Sequence, residues 1–142
     1  MTSMTETLLF ERDYHAPPAK LFMAWTRIDL LGRWFGCAAD RLWKIHEWDA
    51  RVGGRLHVSL DFDGKPFEVR GEFLLVDAPS KLTYRWSEDE IVDVTIEPRA
   101  TGSHLRLTHT FPSRPNVRDI LTMGWSTSLT QLGSAWWLKA QA

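Results

Sequence analysis

The chain has a single cysteine, Cys37. An intramolecular disulfide is therefore excluded, and with no apolar h-region at the N-terminus the expected compartment is the cytoplasm. No apolar run is long enough to cross a bilayer, so membrane insertion is not expected. An excess of one charge sign is missing as well. The formal net charge is −1, which gives no electrostatic case for nucleic acid or an anionic membrane. There is no internal repeat, low-complexity tract or linker. Nor is there a Gly-x-Ser-x-Gly elbow, a phosphate loop or a Gly-x-Gly-x-x-Gly turn, so no catalytic signature stands out and no cofactor is expected.

What the sequence does have is tryptophan. There are eight, against two tyrosines, in 142 residues. A chain of this length forms one domain, expected over 1–142 with an ordered core from about residue 6 to 139, and buries about 70% of its unfolded surface. Bulky aromatics suit either its core or the wall of an apolar pocket. One short stretch sharpens that choice: "LLGRWFG" sets Trp34 beside Phe35 between two glycines. A filler of the core belongs on a rigid element, whereas a lid over a cavity does not need one.

The elements follow from periodicity. "TLLFERDY" (7–14) reads as a strand stopped by "APP". Pro17 and Pro18 suit the first turn of a helix, and Leu21, Phe22 and Trp25 follow at helical spacing. Asp29 is placed to cap a second short helix running into Trp34 and ended by Gly36. From Leu42 to Phe111 the chain alternates apolar and polar residues, in six runs separated by turn signals. The inward positions include Leu56, Val58, Leu60 and Phe62, then Phe67, Val69, Gly71 and Phe73. Leu82, Tyr84 and Trp86 follow, then Val92, Val94 and Ile96, where Pro98 ends the run. Leu105, Leu107, His109 and Phe111 close the series. Beyond Pro112 and Pro115, Asn116 to about Lys139 is a helix whose stripe is Leu121, Trp125, Ser128, Leu132 and Trp136. Consecutive strands with tight turns make an antiparallel sheet with helices to one side, an α+β domain. A sheet of about seven strands must cover its apolar face, and the terminal helix is the element long enough to do so.

A curved sheet around one helix leaves space between them, and Trp34 and Phe35 are expected over its mouth. Trp125 faces them from the helix stripe, with Ser128 and Leu132 on the same side. Phe73, Tyr84, Trp86, His109 and Phe111 face the space from the sheet. These ten residues are the expected contacts for a hydrophobic ligand. His109 carries three readings: a core histidine bonded to a backbone carbonyl or to Tyr84, a polar anchor for a ligand, or a general base tuned by burial. His46 and Glu47 fall on opposite faces of a strand, so no metal set is expected. Glu47, Asp49, Arg51 and Arg55 read as a solvated face with weak ion pairs. Cys37 reads as a small buried hydrophobe. Trp136 and Trp137 cannot both face inward, and an exposed one points to a homodimer contact.

Several motifs, in order, resemble the family named for the activator of heat-shock protein 90 ATPase. They are "LFMAWTRIDLLGRWFG", "EWDARVGGRLHV", "VRGEFLLVDAPSKLTYRW", "LRLTHTF" and "GWSTSLTQL". The resemblance spans roughly Leu8 to Leu138. It departs at Cys37 and at Val52, where the family often has proline. It implies the helix-grip, START-like fold of the SRPBCC superfamily, whose shared feature is a deep apolar cavity and not a reaction. Three functions follow as expectations. The first is a binding module for a hydrophobic or amphipathic small molecule. The second is a cyclase- or hydratase-type enzyme on an aromatic or polyketide-like substrate, with His109 moving the proton. The third is an interaction protein that stimulates a chaperone ATPase, although the resemblance is to only one domain of the eukaryotic co-chaperones.

Overall fold

Between Gly102 and Pro112 every second side chain turns inward, so that Leu105, Leu107, His109 and Phe111 are all buried. This strict alternation recurs along the sheet and defines one apolar face. The computed structural model describes residues 4–38, 41–62, 64–135 and 138. Its elements are β1 (Thr5–Tyr14), α1 (Pro18–Thr26), α2 (Ile28–Leu31), β2 (Gly36–Ala38), β3 (Arg41–Leu42), β4 (Lys44–Trp48), β5 (Arg55–Phe62), β6 (Lys65–Asp77), β7 (Lys81–Ser87), β8 (Glu90–Arg99), β9 (Gly102–Pro112) and α3 (Val117–Ser134). Seven strands form one antiparallel sheet in the order β1-β9-β8-β7-β6-β5-β4, and β2 with β3 makes a separate small hairpin. The register shifts within the β4–β5, β6–β7 and β7–β8 pairs. Such bulges bend a sheet and increase its twist, and here they curve it around α3. This is the helix-grip arrangement, with two short helices after the first strand. No helix among the described residues is long and apolar enough to cross a membrane.

The helices are fastened by buried polar bonds. Two of the last carbonyls of α1, which have no partner inside the helix, accept from indoles: Trp34 Nε1 donates to Ala24 O at 3.0 Å and Trp48 Nε1 to Trp25 O at 2.8 Å. The Tyr14 hydroxyl donates to Leu129 O at 3.0 Å and ties the end of β1 to α3. At the turn into β9, Gly102 has φ +150°, and a Cβ there would stand 2.0 Å from Tyr14 O. The close approach of β1 to this turn therefore requires glycine.

Three local expectations are corrected. Asp29 does not cap α2. Arg27 occupies the cap position, and the Asp29 carboxylate is held by the Arg27 guanidinium at 2.9 Å. Pro98 does not end its strand, because β8 has by then outrun β7, whose last pair is Lys81 with Thr95, and proline is tolerated on an unpaired edge. Gly36 does not end a helix. It opens β2, in a hairpin too short to show any periodicity. The turn at 63, Trp136, Trp137 and the expected helix end near residue 139 lie outside the described residues, as does the side chain of Cys37.

Candidate functional site

After α2 the backbone turns, and the two aromatic residues of the glycine-flanked stretch part company. Trp34 is fully buried, with its ring 4.8 Å from that of Trp25. Phe35 points the other way, toward the space between sheet and α3. The segment is not a loose flap. Gln131 Nε2 donates to Trp34 O at 2.9 Å. Ser128 Oγ accepts from Gly36 N at 3.0 Å and donates to Gly36 O at 2.5 Å. Residues three apart on one face of α3 thus clamp the backbone of the segment. A Cβ at Gly36 would lie 2.5 Å from Arg41 O, so the hairpin also closes on the glycine.

Between this clamp, the sheet and the first half of α3 lies a cavity of about 400 Å³. Leu60, Phe67 and Trp86 line it from the sheet, Phe35 and Trp43 from the hairpin region, and Val117, Ile120, Leu121, Gly124 and Trp125 from α3. Ile120 (65% exposed) and Phe67 (52%) mark its mouth. Gly124 matters for its size. A Cβ built there meets nothing within 4 Å, so the helix leaves room where any larger residue would intrude.

The polar groups of the wall form one relay. Trp125 Nε1 donates to His109 Nδ1 at 2.9 Å, and His109 Nε2 lies 2.7 Å from Glu90 Oε1. Indole can only donate, so Nδ1 must accept and the imidazole proton must sit on Nε2, directed at the carboxylate. Ser87 Oγ donates to the other oxygen, Glu90 Oε2, at 3.0 Å. His109 is 1% exposed and the Glu90 side chain 15%. A proton on Nδ1 would set two donors face to face, so it and the bond from Trp125 exclude one another. Arg114, at the rim, is bound to Asp89 at 3.0 Å.

The ten residues expected to meet a ligand separate into two groups. Phe35, Trp86, His109, Trp125 and Ser128 line the cavity. Trp34, Phe73, Tyr84, Phe111 and Leu132 are buried in the core and do not reach it. Trp34 is therefore filler beside Trp25 and no part of a lid, because its indole is committed to the end of α1. The Tyr84 hydroxyl has no hydrogen-bond partner among the described residues and does not meet His109, and burial raises its pKa. Ser128 lines the wall, but its hydroxyl proton goes to Gly36 O and one of its lone pairs accepts from Gly36 N. Sequence reasoning missed Trp43, Glu90, Arg114 and Gly124. A signal for Glu90 existed, since it shares the parity of Val92, Val94 and Ile96 on β8 and so faces inward with them. Trp43 lies between β3 and β4 rather than on a strand, and Arg114 lies in the loop before α3, so neither has a face fixed by alternation. On the outer face His46 bonds Ser59 and His57 bonds Glu68, each at 2.7 Å, and the Glu68 carboxyl is held low chiefly by that bond to His57. No group of three potential ligands that could hold a metal is found among the described residues.

A family model described as activator of Hsp90 ATPase homolog 1-like protein matches residues 15–136. The chain belongs to this family. The matched span takes in α1, the whole clamp, the relay and α3, so every feature of the cavity lies inside the family region. Solved structures share the fold. A protein from Chromobacterium violaceum has a TM-score of 0.82 at 23% identity, covering 95% of this chain and 98% of that one. An AHSA1-like protein from Aeromonas hydrophila gives 0.79 at 19%, covering 96% and 98%. A Staphylococcus aureus protein of unknown function gives 0.79 at 18%, covering 92% of each chain. No curated protein matches the sequence. The family fold supports a ligand-binding type of domain.

Proposed function

We propose that this protein encloses an apolar small molecule in the cavity between the sheet and α3. The observation that carries the reading is a space of about 400 Å³ bounded mainly by aromatic and aliphatic side chains, within the size range of small-molecule pockets. Gly124 supports it, because a helix serving only to pack the sheet gains nothing by leaving its inner side open. The clamp from Ser128 and Gln131 supports it too, since it fixes Phe35 as wall and so preorganises the pocket.

N-phenyl-1-naphthylamine, a neutral apolar fluorophore, tests the reading. Its emission should rise saturably on titration with the protein, with quenching of tryptophan. Gly124→Phe, which fills the space, should abolish both effects while leaving the fold intact. Absence of saturable binding, or binding indifferent to Gly124→Phe, would defeat the proposal.

One observation favours a second, enzymatic reading. Glu90 is the carboxylate on the wall, and the lone pair of His109 is already taken by Trp125. If a bound molecule is turned over by proton transfer, the base is Glu90, with His109 as its positioning residue. Glu90→Gln would then remove turnover and leave binding of an uncharged substrate.

A further inference from the structure

We infer that the molecule this cavity takes is an organic cation, with an apolar body ending in a protonated amine or a quaternary ammonium. The inference rests on the binding role proposed above and adds the charge of the ligand.

The first line of argument is the charge in the wall. Glu90 presents a largely buried carboxylate, and both protein groups bonded to it, His109 Nε2–H and Ser87 Oγ–H, are neutral donors. His109 cannot supply a compensating charge while its Nδ1 accepts from Trp125. Among the described residues Arg114 is the one cation lining the cavity, and its guanidinium is bound to Asp89 at the half-exposed rim. Glu90, Asp89 and Arg114 together leave one negative charge facing an apolar space. A neutral apolar ligand strips water from that carboxylate and returns nothing for it, so it binds through the apolar wall alone and more weakly than a cation of the same shape. An anion would be repelled. A cation replaces the lost water with an ion pair in a site of low dielectric.

The second line is independent of the first. Phe35, Trp43, Trp86 and Trp125 all line the cavity as one contiguous aromatic wall, with Phe35 at its centre. Ring centroids lie 5.8 Å apart for Phe35–Trp86, and 5.9 Å for both Phe35–Trp43 and Phe35–Trp125. Trp43 and Trp86 are 5.4 Å apart. Aromatic rings attract a positive charge through their quadrupole, most strongly where water is excluded. A hydroxyl gains from Glu90 and little from the rings. A hydrocarbon gains from the rings and loses at Glu90. An ammonium gains from both.

Three probes on one skeleton make the test: phenylbutylammonium, phenylbutanol and phenylbutanoate, titrated calorimetrically near neutral pH. The ammonium should bind at least about tenfold more tightly than the alcohol, and the carboxylate most weakly. Glu90→Gln keeps an acceptor for His109 Nε2–H and changes only the charge, so it should narrow the ammonium–alcohol gap to within about threefold. If that variant fails to fold, Trp43→Leu reads the aromatic half, and should weaken the ammonium more than the alcohol. An alcohol that binds as tightly as the ammonium, and is lost in Gly124→Phe, would overturn the cation and leave the binding role standing. A preference for the ammonium that survives unchanged in folded Glu90→Gln would overturn the assignment. Failure of all three probes would remove the binding role and this inference with it.

Discussion

The indole N–H of Trp125, on α3, donates across 2.9 Å to Nδ1 of His109, on β9, and this one bond assigns the tautomer of a histidine that is 1% exposed. It also decides what the histidine can do. With Nδ1 taken by Trp125 and the Nε2 proton given to Glu90, His109 has nothing left to offer a ligand directly. Its effect on the cavity passes through the carboxylate it orients.

Trp125→Phe keeps an aromatic ring but loses the pyrrole half of the indole with its donor, leaving Nδ1 buried without a partner. The cost should be about 1–3 kcal/mol of unfolding free energy, measured by urea denaturation. In the unaltered protein, long-range proton–nitrogen correlation should find the His109 proton on Nε2. A proton on Nδ1 would show that the relay does not exist.

Gly124 sits mid-helix with open space where its side chain would be. Gly124→Ala should therefore raise stability by about 0.8–1 kcal/mol through helix propensity alone. Gly124→Phe should keep a melting temperature close to that of the parent yet block the binding of apolar probes. A large fall in stability for either variant would mean that the space is already filled.

Ser128→Ala strands both the N–H and the C=O of buried Gly36. Each stranded group costs about 1–3 kcal/mol, so this small truncation should destabilise the fold more than a typical loss of one hydroxyl. Chemical denaturation measures it. A loss well under 1 kcal/mol would show that the clamp is not holding the segment.

His104 lies across from Asp13 on β1 and diagonal to Glu11, bonded to them at 2.7 Å and 3.0 Å. Hydrogen bonds first to Glu11 and then to Asp13 raise its pKa above the ordinary 6.5. The folded state thus favours the imidazolium. The stabilisation is fully present below the unfolded value and is lost as pH climbs through the higher folded one. His104→Ala should accordingly lower the melting temperature more at about pH 5.5 than at about pH 8.5, and added salt should shrink the difference. An equal effect at both pH values would remove the ion pairs from the account.

Alternation along the strands and the stripe on α3 were legible because each is a local periodicity. A residue at inward parity in β7, β8 or β9 has no other face to occupy. Val92, Leu107 and Phe111 are buried accordingly. Phe67 departs from this rule: its parity pointed inward, but β6 extends past the core there and leaves it 52% exposed at the mouth. Trp43 and Arg114 gave no signal, because the single residue between β3 and β4 and the loop before α3 have no period to read.

The sequence by itself determined the antiparallel sheet, its long covering helix and the inward set of side chains, since a pattern of alternate apolar residues can bury itself in only one way. Which of those inward residues fill the core and which face the cavity was decided by tertiary structure alone. Trp34 and Phe35 are neighbours in the chain, yet one caps α1 and the other forms the wall. The difference comes from partners more than ninety residues away, on a helix whose Ser128 and Gln131 fix the backbone between them. No local pattern encodes that distance, because the contacts exist only once the sheet has curved around α3.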